Sequence, residues 1–358
     1  MILNKDSLNG LYLSTPINYL NPEQTDLIKG LIVKNESVCF EASLKFRSHF
    51  VFLNNLELLG ATLSDDCVMA RNVWSKVNEL YAREVFDRLK ELKNDVCLLK
   101  SFNLFNFVDT HYTKNRFYSD FDLLVKNNSL EETRAFFLGH GFIHGNDIDG
   151  VLYRQDPNRH REDTHYEITP LYKPFPLCLN KREIKLLNLF RLPIRSYEGE
   201  DCLVIKLDVH KSISYDFSSD DLWNSLQMVQ INGIFNFRPE DLAWYMSLKL
   251  YYEVHGDMSS VAMRKGRNLI DIVSLINNVS HIEFDWDYFY LKVIELDVQV
   301  PIFYVFSTVM QIFEVGTLKT FLDRITLSLD QRYSREKDHG PFLLKLLGEK
   351  PQNVVELK

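Results

Sequence analysis

The chain has 358 residues, of which 46% are hydrophobic and 13% aromatic, so it can bury a sizeable core divided among two or three subdomains. A formal charge of -8 and a pI near 5.7 argue against a general nucleic-acid-binding protein, because neutralising many phosphates requires a basic surface. The sequence has no run of about 18 apolar residues, so we expect no membrane span. Its five cysteines lack Cys-x-x-Cys spacing, so we expect them to be free thiols in a reducing compartment, the cytoplasm.

Apolar residues recur at intervals of three and four through residues 1–93, which predicts an N-terminal helical region. Asn21 and Pro22 are suited to the cap and the first turn of one of its helices.

The pattern changes in residues 94–237, where short apolar runs typical of strands alternate with turn residues and one helical stretch. The helical period returns in residues 238–358, with Pro239 at a first-turn position. The expected fold class is α+β, a small mixed sheet flanked by the N-terminal helices and a C-terminal helical domain.

Three Asp-x-Asp pairs occur in the chain: Asp120 and Asp122, Asp147 and Asp149, and Asp285 and Asp287. The second pair lies among turn residues and predicts a solvated loop, while the third precedes a helical pattern and predicts a helix cap. The first pair leads into the apolar run FDLLV, where a buried charge requires a reason.

Residues two apart on a strand point to the same face, so Asp120 and Asp122 would present two carboxylates side by side. Their Cα atoms would be about 7 Å apart. Like charges this close repel unless a cation lies between them, and Mg²⁺ prefers carboxylate oxygens together with substrate phosphates. The pair therefore predicts phosphoryl or nucleotidyl transfer. The alternative is that the two aspartates stand at the end of a strand by chance and have no function.

The segments VCLLKSFNLFNFV and RFYSDFDLLVK resemble the DNA-polymerase-beta-like nucleotidyltransferase superfamily, in which Asp-x-Asp stands on the strand after a strand, turn and helix. More narrowly, the chain is similar to a poorly characterised bacterial nucleotidyltransferase-like family over residues 80–280. The matching positions include Leu98, Leu99, Lys100, Arg116, Ser119, Asp120, Asp122 and the acidic-x-His strand LDVHKSI.

This resemblance implies a third carboxylate on a later strand, and two Mg²⁺ ions, or Mn²⁺, held together with a nucleoside triphosphate. Asp208 is the preferred third ligand because it lies in a strongly apolar strand pattern and matches the acidic position of the family, while Glu167 is the alternative. His210 would share the face of Asp208, either near the substrate or as a hydrogen-bonded, half-buried histidine.

The other expected nucleotide-binding residues are Lys100, Ser101, Arg116, Ser119 and Arg267, where Arg can make bidentate and Lys single phosphate contacts. For Arg267, which belongs to the basic run RKGR, a solvated helix face is the alternative. Ser101 stands where the family has Gly, so it either donates a hydrogen bond to the triphosphate or marks a site that has lost activity.

The expected function is transfer of NMP from an NTP to a small molecule, peptide or protein, with a role in peptide natural-product tailoring suggested only by analogy. A catalytically silent relative that binds a nucleotide or a partner protein is the alternative. A toxin-like enzyme that modifies tRNA is a further one, disfavoured by the acidic charge balance.

Overall fold

A computed structural model represents the protein. It describes residues 5–92, 96–100, 104, 110–156, 168, 170–212, 223, 228–231, 233–256, 266–277, 284–316 and 318–329. No helix in these ranges is both long enough and apolar enough to span a bilayer.

Helices form both terminal parts of the described chain. In chain order they are α1 Lys5–Leu13, α2 Pro22–Lys34, α3 Glu36–Lys45, α4 His49–Leu58, α5 Asp65–Tyr81, α6 Asp87–Leu89, α7 Thr110–Asn115, α8 Leu130–Gly139, α9 Lys181–Leu189, α10 Pro239–Gly256, α11 Gly266–Asn277, α12 Trp286–Glu295, α13 Gln299–Phe313 and α14 Leu318–Ser328. A π-helical turn, Ala82–Phe86, joins α5 to α6, and short 3₁₀ turns cover Ile17–Tyr19 and Asn127–Ser129.

The strands lie between these helical parts. They are β1 Val96–Leu98, β2 Phe121–Val125, β3 Ile143–Ile148, β4 Val151–Arg154, β5 Leu171–Pro176, β6 Ile194–Tyr197, β7 Glu200–His210, β8 Met228–Ile231 and β9 Ile234–Phe237.

The α+β fold class predicted from the sequence is confirmed, and so are two helix starts. The Asn21 side chain accepts a hydrogen bond from the Gln24 N–H in a capping box at the start of α2, and α10 begins at Pro239. Asp285 caps α12 as predicted, since its side chain accepts from the Tyr288 N–H.

The prediction of a loop at Asp147 was wrong, because this residue lies in β3, where it faces Leu152 of β4. Only Asp149 and Gly150 form the turn, both with positive φ, 49° and 81°. The hairpin was missed because its turn residues, rich in Asn, Asp and Gly, extend the loop signal into the strand itself.

The chain forms two compact units that divide it differently from the three predicted segments. One contains the described residues of Met1–Thr62, Phe107–Phe117 and Pro239–Lys358, and the other contains those of Leu63–Asn106 and Tyr118–Arg238. The N-terminal region is thus split, with α5 belonging to the unit that carries the sheet.

Aromatic packing explains why α5 belongs with the sheet. The ring of Trp74 lies 4.6 Å from that of Tyr118, and the ring of Tyr81 stacks on Phe121 of β2 at 5.8 Å. These side chains are buried, and burying large aromatic side chains is a strong contribution to packing. The helical unit has its own core, in which Phe289, Phe306 and Phe321 join α12, α13 and α14.

All nine strands among the described residues belong to one mixed sheet, in the order β5-β3-β4-β6-β7-β2-β1-β9-β8. An additional pairing of β5 with β7 closes β3, β4, β6, β7 and β5 into a ring. The long strand β7 therefore serves two structures, since it completes the ring and also pairs in parallel with β2.

A glycine allows two strands of this ring to approach closely. A Cβ atom at Gly145 of β3 would lie 2.9 Å from a methyl group of Leu152, 3.1 Å from the Tyr153 carbonyl oxygen and 3.2 Å from the Tyr172 ring. We expect Gly145→Ala to lower the free energy of unfolding by about 1–3 kcal/mol, because overpacking displaces neighbours. Urea denaturation measures this, with Gly139→Ala as the control, since a Cβ there has no neighbour within 4 Å.

Candidate active site

The pairing of β2 with β7 brings together two of the predicted acidic residues. The strands run parallel with Asp122 opposite Asp208 and Leu124 opposite His210. Residues at matching positions of paired strands point to the same face, so both carboxylates and the His210 ring share one side of the sheet. Asp122, Asp208 and His210 are all buried.

Asp120 completes a cluster of three carboxylates, which we call the acidic cluster: Asp120, Asp122 and Asp208. One carboxylate oxygen from each residue lies within 4.8 Å of those of the other two. Asp120 immediately precedes β2 and is partly exposed, while Asp122 and Asp208 lie deeper. The predicted convergence of these three acids is therefore present in the structure.

A turn after β1 brings a lysine to the cluster. The Leu99 N–H donates to the Asp122 carbonyl at 3.0 Å, which extends the pairing of β1 with β2 by one residue. Lys100 then adopts a left-handed φ of 52°, and its ammonium group donates to Asp122 Oδ1. Such a conformation is costly for a residue with a Cβ and is often found at functional sites.

A second lysine lies on β7. Lys206, two residues before Asp208 on the same face, places its Nζ 2.7 Å from Asp208 Oδ2. Among the residues that the structure describes, no donor reaches the buried second oxygen, Asp208 Oδ1. A buried carboxylate oxygen without a hydrogen bond is costly, so this atom indicates a ligand position.

His210 and Ser119 make polar contacts at the same place. His210 Nε2 lies 2.8 Å from Asp122 Oδ1, so Nε2 must carry the hydrogen that is donated to this carboxylate. The Ser119 hydroxyl donates to Asp120 Oδ1 at 3.2 Å. Both side chains contact acids in the structure, and their role in nucleotide binding stays a prediction.

The close packing of three acids changes their electrostatics. Burial is the main cause that raises the pKa of the Asp208 carboxyl to about 7; Asp120 and Asp122 act in the same direction, and Lys206 opposes them. Burial lowers the pKa of Lys206, but the carboxylates of Asp208 and Asp120 outweigh it, so its pKa stands above the usual value. The cluster therefore favours any added positive charge.

The donor set fits a hard divalent cation. Carboxylate oxygens are the ligands that Mg²⁺ and Mn²⁺ prefer, and the separation of the three oxygens allows shared coordination. Asp208 Oδ1 has no competing hydrogen bond from a described residue. Asp120, Asp122 and Asp208 could thus hold one or two such ions.

The two predicted arginines lie in the helical unit. The guanidinium of Arg116 donates from Nε and one terminal nitrogen to the two oxygens of Asp271, at 2.5 and 2.6 Å, and both residues are buried. Arg267 donates to the Phe117 carbonyl at 2.6 Å. Burial, with help from Arg116, lowers the pKa of Arg267 to about 10, which leaves it charged at neutral pH. Their phosphate contacts stay predictions.

Two predicted site residues, Ser101 and Glu167, lie outside the described residues. Sequence reasoning also missed a member of the site, Lys206, although its signal was present: it precedes Asp208 by two residues in a strand, which fixes both on one face. Asp271 was missed as the partner of Arg116 because 155 residues separate them in the chain.

An acidic cluster of this kind, in which two of the acids lie opposite each other on paired strands, could hold a divalent cation. The family model for uncharacterised nucleotidyltransferases matches residues 75–314, which is more than half of the chain and includes all three acids. The chain belongs to this family, which confirms the resemblance drawn from its sequence. Comparison with curated proteins and with solved structures gives no match.

Proposed function

We propose that the protein is a Mg²⁺-dependent nucleotidyltransferase that moves NMP from an NTP to a nucleophile on a small molecule, peptide or protein. The observation that carries this proposal is the convergence of Asp120, Asp122 and Asp208 within 4.8 Å in a chain of the nucleotidyltransferase family. Three carboxylates on one side of a sheet can share two cations.

In the proposed reaction, the acceptor nucleophile forms a bond to the α-phosphorus, and the bond from this phosphorus to the bridging oxygen of the β-phosphate breaks. Pyrophosphate leaves with that electron pair, and the proton of the nucleophile passes to solvent water. Bound Mg²⁺ would neutralise the developing charge on the attacking and leaving oxygens.

The chain's own residues hold this geometry in the proposal. Asp122 and Asp208 are positioned by the parallel register of β2 and β7, and His210 fixes the Asp122 carboxylate through its Nε2–H. Rigid strands orient ligands better than loops do, and hydrogen bonds behind a metal ligand typically affect metal affinity by about 10–100-fold.

A cytoplasmic location is part of the proposal. All five cysteines are free thiols, and Cys39, Cys97 and Cys202 are buried. Free thiols are typical of reducing compartments, where NTPs are also available.

A catalytically silent relative is the second candidate, and one observation favours it. The ammonium groups of Lys100 and Lys206 already pair with two of the three carboxylates. In a silent relative these pairs would be permanent, so the protein would bind a nucleotide or a partner protein without a catalytic metal and without transferring NMP.

The assay for this proposal incubates the protein with each α-labelled NTP and Mg²⁺, together with peptide, small-molecule or tRNA pools. We expect Mg²⁺-dependent release of pyrophosphate and a labelled acceptor that is not tRNA. A labelled tRNA would support the tRNA-modifying enzyme instead. If the protein binds no Mg²⁺ or Mn²⁺ and turns over no NTP, the silent relative replaces the enzyme.

A further inference from the structure

Lys206 is placed so that its backbone is fixed while its side chain can reach beyond its present partner. Its N–H donates to the buried Tyr81 hydroxyl at 3.2 Å, and β7 pairs on both edges around it. The side chain of Lys206 is 28% exposed, against 12% for Asp208, so the lysine is the more accessible member of this ion pair.

The ammonium group of Lys206 and a divalent cation would compete for the same carboxylate. Lys206 Nζ lies 2.7 Å from Asp208 Oδ2, and a cation held by Asp208 Oδ1 would be only a few ångströms away. Two positive charges at such a distance repel strongly in a partly buried site. A triphosphate would offer Lys206 other oxygens, with a higher negative charge than one carboxylate.

We propose that Lys206 is a triphosphate-binding residue that changes partners. It neutralises Asp208 before the substrate enters and transfers its hydrogen bonds to a phosphate oxygen when the metal-bound NTP enters the acidic cluster. This inference rests on the proposed function, because it takes the cluster to be the metal and nucleotide site. No covalent bond changes in this exchange.

Coupled binding of metal and triphosphate follows from this exchange. The divalent cation alone must displace the charge of Lys206 from Asp208, so it binds weakly. The metal-bound triphosphate supplies the phosphate that accepts this charge, so each component raises the affinity of the other, as linkage requires. Lys100, which pairs with Asp122, adds a second positive charge that weakens the binding of the cation alone and favours the binding of the triphosphate.

The test is calorimetric titration of the wild type and of Lys206→Met with Mn²⁺ alone, and then with Mn²⁺ and the four α,β-methylene NTPs, whose α–β bridge cannot be cleaved. We expect Lys206→Met to bind Mn²⁺ alone about tenfold more tightly and the Mn²⁺-bound nucleotide about tenfold more weakly. Lys206→Arg keeps the charge and should behave nearly as the wild type in both titrations.

Lys90→Met is the matched control, because Lys90 pairs with Asp87 at 2.8 Å on the surface, outside the acidic cluster. It removes the same charge and should change neither affinity. Circular dichroism checks that each variant is folded, and Lys206→Gln replaces Lys206→Met in both titrations if the latter does not fold.

The results separate this inference from the proposed function. If the wild type binds Mn²⁺ and nucleotide but Lys206→Met binds Mn²⁺ alone no more tightly, then Lys206 only positions Asp208 and the partner exchange is wrong while the proposed function stands. If the wild type binds neither ligand, both proposals fail together.

Discussion

Replacing Asp122 by Asn is expected to slow Mg²⁺-dependent NMP transfer about 10²–10³-fold while the protein remains folded. The substitution removes one negative charge from the acidic cluster at almost constant shape. Asp122 is buried in β2, within reach of both Asp120 and Asp208, so no other described carboxylate replaces it. Loss of an electrostatic contact made mainly in the transition state typically costs about 10²–10³-fold in rate.

The thermal stability of Asp122→Asn without metal should stay close to that of the wild type. The Asn side chain can still accept hydrogen bonds from Lys100 and His210, which contact Asp122 in the structure. Removing one of three crowded carboxylates also relieves repulsion. A change of about 1 kcal/mol in either direction is therefore expected.

Asp147→Asn is the matched control for this experiment. Asp147 belongs to another Asp-x-Asp pair and lies in β3, where its carboxylate accepts a hydrogen bond from Arg195 at 2.5 Å, outside the acidic cluster. Turnover by this variant should stay within about twofold of the wild type. Wild-type turnover by Asp122→Asn would contradict the assignment of Asp122 to the metal site.

Replacing Asp271 by Asn is expected to destabilise the helical unit strongly. The guanidinium of Arg116 is buried and makes two hydrogen bonds to the Asp271 carboxylate, and the Tyr112 hydroxyl donates a third at 2.6 Å. Without the carboxylate charge, the arginine is left as an uncompensated buried cation. Breaking a buried pair in this way typically costs about 3–5 kcal/mol.

Urea denaturation followed by circular dichroism measures this loss. At the slopes typical of small proteins, it corresponds to a fall of about 1 M or more in the midpoint of the transition. The control is Asp26→Asn, which breaks an exposed pair with Lys29 in the same unit and should cost no more than about 1 kcal/mol. A midpoint for Asp271→Asn equal to that of the control would show that Arg116 does not depend on this pair.

The Arg116 result also bears on nucleotide binding. The family resemblance assigns Arg116 to the triphosphate, whereas in the structure its Nε and Nη2 groups donate to the two carboxylate oxygens of Asp271. If Asp271→Asn loses stability as expected, then the role of Arg116 is to stabilise the core of the helical unit through its pair with Asp271. Lys206, which the sequence pattern did not single out, is then the better candidate for a phosphate contact.

The sequence determined the features that depend on near neighbours in the chain. Strand alternation placed Asp120 and Asp122 on one side, and the same rule would have placed Lys206 beside Asp208. The caps at Asn21 and Asp285 follow from side chains that satisfy N–H groups three residues away. These interactions are local, so a short stretch of sequence specifies them.

The tertiary structure decided which distant elements meet. Nothing within β2 or β7 indicates that they pair in parallel with Asp122 opposite Asp208, since register is set by side-chain packing across the whole sheet. The strands β6, β8 and β9, of four residues each, were not singled out from the sequence either.

The sequence also did not indicate which helices belong to which of the two units. The helical pattern of α5 resembles that of the helices before it, yet Trp74 and Tyr81 pack on Tyr118 and Phe121 and assign this helix to the sheet unit. An amphipathic helix specifies that one face is buried but not which surface buries it. The site therefore depends on local alternation for its carboxylates and on long-range strand pairing for their convergence.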